Sequence, residues 1–216
     1  MKKKLMIFGI VLTLLIVILS LGGCGKTEES TLTIDGKQVK VPYVMIIDGK
    51  KVSLDEYRYY FLNMKKKYDS GDETVWDKEN ALKMLKLDVL DGIKESYAVW
   101  NLAEKNGMKI VKEDEKKIAD NIDSQIKTYG SKEKYQDALT ESYMTEDLYD
   151  YLWRTAIIHD KLNHYYFDEG GEYYNPDVST EMRDQENEIK MKELVQKEKD
   201  ELNIEYGAQY DLITTK

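Results

Sequence analysis

The sequence predicts a mainly α-helical fold of five or six helices with a small β element at its start. Three observations carry that reading. From Ser53 to about Leu202, apolar residues recur at three- and four-residue spacing, the period of a helix face. Many of these runs open on Ser or Thr and some close on Gly, the residues that satisfy the free backbone groups at helix ends. Between Leu32 and Val52 the pattern instead alternates around two Asp-Gly pairs, as in hairpins.

Each element follows from its own residues. Leu32, Ile34, Val39 and Val41 alternate with polar residues around Asp35-Gly36, and Asp48-Gly49 follows the apolar stretch YVMII. Both pairs suit the positive φ angles of a type I′ turn, and Pro42 marks an edge or break between them. SLDE, Ser53 to Glu56, reads as a capping box: Ser53 accepts from the backbone and Glu56 reaches back. Leu54, Tyr57, Phe61, Met64 and Tyr68 then share one helix face. A long helix is expected from about Glu73 or Trp76 to Lys105, with Leu82, Leu85, Val89, Ile93, Tyr97 and Trp100 inward and Asn106-Gly107 as its stop. MKIV is a brief extended link.

The next helix carries Ile118, Ile122, Ile126 and Tyr129 and ends at Gly130. Ser131 opens a short helix with Tyr135, Ala138 and Leu139. Thr145, followed by Glu146 and Asp147, opens one that runs to about Phe167 on Leu148, Leu152, Ile158 and Leu162. DEGGEYYNPD, 168–177, is a break with two glycines and a proline. Beyond it a charged helix is expected from Ser179 to Leu202, with Met182, Ile189, Leu194 or Val195, and Leu202 as its thin apolar content. Ile204, Tyr206, Tyr210 and Leu212 suggest a closing strand.

The N-terminus carries a different signal. Lys2, Lys3 and Lys4 precede a run from Leu5 to Leu21 that is apolar apart from Thr13 and Ser20. A positive start, an apolar stretch and small residues make a secretory signal. The run counts 17 residues, short of the roughly 20 that span a bilayer comfortably, so an uncleaved anchor is the lesser alternative. The chain has one cysteine, Cys24, which can form neither an internal disulfide nor a zinc site alone. LGGC resembles the lipobox of bacterial lipoproteins. The resemblance implies cleavage between Gly23 and Cys24 and a diacylglyceryl thioether on Cys24, holding the protein at the extracytoplasmic face of a bacterial membrane. Two acyl chains anchor stably where one binds only marginally.

Cleavage there leaves 193 residues with 29 basic and 41 acidic side chains, a net charge of −12. Such a surface excludes nucleic acid as an electrostatic partner, and an anionic membrane repels it, leaving anchorage to the lipid. Residues 24–30 read as a polar tether.

The order of features from Val44 to Phe167 resembles the N-terminal chaperone domain of the SurA and PrsA type. The matching stretches are VMIIDGKKVSLDEYRYYF, VLDGIKESYAVWNLAEKNGMKIVKEDEKKIADNI and YGSKEKYQDALTESYMTEDLYDYLWRTAIIHDKL. The stretch KEKDELNIEYGAQYDLI resembles the segment that returns in PrsA-like proteins to complete this domain. The resemblance implies a curled multi-helix domain over 31–167, with residues 178–216 packing back on it as helix and strand. In the enzymes of this family a parvulin prolyl isomerase domain stands where this chain has only residues 168–177, and ten residues are too few for a domain. The implied function is a membrane-tethered folding factor that binds unfolded, newly secreted polypeptides, without isomerase activity or cofactor. A lipoprotein adaptor with one dedicated partner, an active isomerase and a small-solute-binding protein are the rivals.

The chemistry-bearing residues agree with a non-enzymatic reading. His159 and His164 are five apart and do not share a helix face as metal pairs do. Acidic clusters such as KEDEKK read as solvated helix faces, and the nine methionines as core packing. No phosphate loop or nucleophile elbow is present in the sequence. The aromatics stand out: 17 tyrosines and three tryptophans against three phenylalanines. Tyr and Trp offer an apolar body with a polar handle, suited to gripping varied chains. On the helix after Thr145, Tyr149, Tyr151, Trp153 and Ile157 project away from the stripe of Leu148, Leu152, Thr155, Ile158 and Leu162 and are the candidate client-binding residues. A helix apolar on two faces either lies in the core or lines a groove.

Overall fold

The computed structural model describes residues 31–34, 37–68 and 79–213. Cys24, the signal and tether segments, the Asp35-Gly36 turn and the expected helix start at Glu73 or Trp76 lie outside the described residues.

The chain opens with two small antiparallel pairings. β1 (Thr31–Ile34) pairs with β2 (Lys37–Lys40), Thr31 opposite Lys40. β3 (Met45–Ile47) pairs with β4 (Lys50–Val52) through Asp48-Gly49, whose φ angles of 47° and 76° are the positive pair a type I′ turn requires. The last strand, β5 (Ile204–Tyr206), joins the free side of β3, with Ile47 opposite Ile204 and Met45 opposite Tyr206. The second sheet is therefore closed by the far end of the chain.

Six helices follow among the described residues: α1 (Leu54–Tyr68), α2 (Glu79–Lys105), α3 (Lys112–Tyr129), α4 (Lys132–Glu141), α5 (Glu146–Phe167) and α6 (Thr180–Glu201). The expected caps form. Ser53 Oγ accepts from Glu56 N at 3.0 Å, Ser131 Oγ from Lys134 N at 3.2 Å, Thr145 Oγ1 from Leu148 N at 3.1 Å and Ser179 Oγ from Met182 N at 3.4 Å. Gly130 ends α3 in the left-handed conformation.

The spine is α2, a helix of 27 residues against which α1, α5 and α6 all pack. Its two halves serve two cores. Leu85, Val89 and Ile93 meet Val44, the β3 residues Met45 and Ile47, and the α1 residues Tyr57 and Phe61. Ala98, Leu102 and Ala103 meet Ile158 and Leu162 of α5 and Met191 and Val195 of α6. Small side chains at 98 and 103 let the helices approach closely. A third cluster, Tyr135, Leu139 and Tyr149, joins α4 to the start of α5. The fold is mainly α with a small β element, and its C-terminal helix and strand pack back on the N-terminal part.

Three local expectations are corrected. The closing strand stops at Tyr206. Gly207 N donates to Val44 O at 2.8 Å, and a Cβ at Gly207 would stand 2.8 Å from that oxygen, so the chain turns there and Tyr210–Leu212 form a 3₁₀ turn. On α6, Met182 and Ile189 face solvent, 54 % and 60 % exposed, while Met191 and Val195 are buried. The buried face of α6 also carries charge: Lys199 pairs with Asp91, and Glu198 with Lys105 at 2.7 Å. Finally, Ser53 caps α1, but Glu56 does not turn back to complete the box; its side chain is buried and its carboxylate meets Tyr97.

Candidate functional site

α1 and α5 both lie along α2, and a strip of half-buried aromatic and polar side chains, the trough, links the three helices. Each helix contributes positions one turn apart: Glu56 and Tyr60 on α1, Ser96 and Trp100 on α2, Tyr151 and Thr155 on α5. The Tyr60 hydroxyl and Ser96 Oγ share a 2.8 Å hydrogen bond. Trp100 Nε1 donates to Thr155 Oγ1 at 2.9 Å, and that hydroxyl donates to the Tyr151 carbonyl at 2.9 Å. Gly92 admits the Tyr60 ring, because a Cβ there would meet Tyr60 Cδ1 at 3.2 Å.

At the inner end sits Glu56, 8 % exposed. Its Oε1 has no hydrogen-bond partner, and Oε2 accepts one long bond, 3.5 Å, from the Tyr97 hydroxyl. Burial pushes its carboxyl up to about 7, against a weaker lowering by Tyr97. Burial also raises the phenols of Tyr60, Tyr97 and Tyr151, and the Glu56 charge adds to the rise in all three. Those rings therefore stay neutral and keep their protons as donors. Burial lowers the His159 imidazole, opposed by Glu95 and Asp160. The trough combines half-buried rings, neutral hydroxyls and one buried carboxyl.

The four candidate client-binding residues do not lie together. Tyr151 is half-buried in the trough. Tyr149 is 6 % exposed on another side of α5, its hydroxyl donating to Asn121 Oδ1 at 2.9 Å. Its ring stands edge-on to Tyr135, centroids 6.0 Å apart, and to Trp153, 6.3 Å apart. Tyr149 and Trp153 thus pack on the third core, around a cavity of about 20 Å³ beside Tyr135, whose hydroxyl also lacks a partner. Such a space holds about one water. Ile157 is half-buried. His164 is exposed at the end of α5 and contacts Asp168 at 2.8 Å, while His159 bonds Asn163. Among the described residues no three His, Cys, Asp or Glu side chains gather as a metal site.

Sequence reasoning missed Glu56, Tyr60 and Trp100 as trough residues. From the sequence alone Glu56 reads as part of a cap and Trp100 as part of an inward stripe. The available signal was that each sits beside, rather than within, its helix's fully buried stripe. A second concavity, open and of about 300 Å³, lies where α5 ends against α6, lined by Phe167, Tyr173, Ile189 and Lys190.

A family model described as the SurA-like N-terminal domain matches residues 1–163, which include α1 to α4 and most of α5. No curated protein and no solved structure matches the chain.

Proposed function

The chain belongs to the SurA-like N-terminal domain family, a chaperone-type module, and from that premise we propose a membrane-tethered, extracytoplasmic folding factor that holds unfolded segments of secreted proteins. The observation that supports this reading is the trough of half-buried Tyr60, Trp100 and Tyr151, whose phenol hydroxyls stay neutral. Tyr and Trp rings bury apolar client side chains while their polar tips stay hydrogen-bonded. An apolar side chain removed from water contributes about 1.5–3 kcal/mol, so a few contacts hold a segment weakly and release it. The net charge of −12 on the cleaved chain keeps a loaded complex soluble. The tether in this reading is the lipid on Cys24, and the site at 168–177 carries no isomerase.

The test is aggregation of a chemically unfolded secreted protein, followed by light scattering with and without the full-length acylated chain. Suppression near equimolar ratio, weakened by Tyr60→Ala and Tyr151→Ala together, is expected. Unchanged aggregation at excess chain would overturn the reading and favour an adaptor with one dedicated partner.

A further inference from the structure

We propose that the open concavity between the end of α5 and the first half of α6 is a docking site for one apolar side chain of the bound polypeptide, presented with a lysine or arginine beside it. The proposal rests on the chaperone reading and adds to it a second point of contact, apart from the trough.

The walls of this concavity are built and held. Phe167 is the buried last residue of α5, and Tyr173 from the following loop lays its ring beside it, centroids 6.0 Å apart. The same ring meets Tyr166 at 5.5 Å. Tyr173 N donates to the Tyr166 carbonyl at 2.9 Å. Gly171 crosses the helix end so closely that a Cβ there would stand 2.6 Å from that carbonyl oxygen. The far end of the loop is fixed by Arg183 of α6. It donates to the carbonyls of Asn175 at 2.8 Å and Val178 at 3.1 Å and lies over the Tyr174 ring. A cleft whose walls are set before binding loses less freedom when it is filled.

The lining asks for an apolar group. Phe167, Tyr173 and Ile189 supply its apolar part, and Ile189 stands 60 % exposed on α6. The space is about 300 Å³ and open to one side. That is the low end of the roughly 300–1,000 Å³ of small-molecule pockets, which suits a single side chain entering from a passing chain.

Charge selects the occupant. Residues 168–193 carry nine acidic and three basic side chains, a net of −6, half of the −12 on the cleaved chain. All three cations are engaged: Arg183 holds the loop, Lys190 contacts Glu193 at 3.1 Å and lies over the Tyr173 ring, and Lys192 pairs with Glu188 at 2.7 Å. Glu186 and Glu193 belong to the lining and are exposed, so a basic residue flanking the inserted side chain meets a carboxylate there. A second copy of this chain would set like charge against like, and anionic lipid is repelled in the same way. A polypeptide segment that is both basic and apolar satisfies the lining and the field together.

The probe is a rhodamine-labelled twelve-residue peptide with one phenylalanine between two lysines, titrated onto the full chain by anisotropy. Two controls accompany it, one with serine for the phenylalanine and one with glutamine for both lysines. The parent peptide binds, and each control binds about tenfold more weakly, as expected on losing one buried side chain or its charge-assisted contacts. Ile189→Ser weakens the parent by a similar factor, and Glu186→Gln with Glu193→Gln narrows the gap between the lysine and glutamine peptides. These side chains are exposed, and a circular dichroism melt establishes that each variant is folded. Equal binding of the serine control, or parent binding untouched by Ile189→Ser, overturns the site and assigns the attraction to surface charge. Absence of parent binding also overturns it, and the chaperone reading stands if the same chain still suppresses aggregation. A dimer in sedimentation velocity that Ile189→Ser dissolves gives this face to a second copy and overturns the proposal. A chain that suppresses no aggregation removes the chaperone reading, and the site falls with it.

Discussion

Replacing Glu56 by Gln should stabilise this protein, and more so at alkaline pH. The side chain is 8 % exposed and its carboxyl is raised from 4.5 to about 7, chiefly by burial. Between those values the folded state binds more protons than the unfolded state, so stability falls as pH rises through the window. The penalty is absent well below 4.5, under about 1 kcal/mol at pH 5, and near its full size of about 3 kcal/mol at pH 8. Gln keeps the shape and cannot ionise. The assay is a pair of urea titrations, wild type against Glu56→Gln, at pH 5 and pH 8. The gap between variants should widen by about 2 kcal/mol in favour of Gln at the higher pH, equivalent to a Tm difference of roughly 4–8 °C in a chain of this length. A gap that is constant with pH, or that favours Glu at pH 8, would refute the buried, unpaired carboxyl.

Three other outcomes are expected. Cys24→Ser should abolish acyl labelling and leave an unprocessed precursor; a normally processed product would dismiss the lipobox. A chain ending at Asp177 loses Met191, Val195 and Ile213, each buried, and the β5 partner of β3. At about 1.5–3 kcal/mol apiece these side chains amount to most of an ordinary stability of about 5–15 kcal/mol, so it should bind a hydrophobic dye and melt far lower; an unchanged melting temperature would contradict the packing of α6 on α2. The purified chain should leave cis-to-trans conversion of a prolyl peptide at its uncatalysed pace of tens to hundreds of seconds; acceleration lost on a single substitution would contradict the reading of a foldase scaffold without isomerase.

What was legible in the sequence was local. Ser53, Ser131, Thr145 and Ser179 cap their helices because each needs only a backbone N–H three residues on. Asp48-Gly49 makes its turn for the same reason, and Leu85, Val89 and Ile93 declare their face by spacing alone. Illegible features depend on partners far along the chain. Glu56 carries the same pattern whether it closes a capping box or turns inward, and Tyr97, 41 residues later, decides. On α6, buried Glu198 and Lys199 read as solvent-facing until Lys105 and Asp91 supply their counter-charges. Gly207 ends β5 because Val44, from the other end of the chain, stands against it. The trough draws on three helices, and of its residues only Tyr151 was marked beforehand, because its aromatic excess shows on one helix while its neighbours arrive from two others.

The central claim is that this trough holds many unrelated unfolded chains. Its most direct test is a photoreactive phenylalanine at Tyr151 in the full chain, irradiated in intact cells, with the same group at the solvent-facing Lys192 as control. The account predicts a heterogeneous set of secreted proteins crosslinked from position 151 and little from position 192. One stoichiometric partner, or equal labelling from both positions, would contradict it.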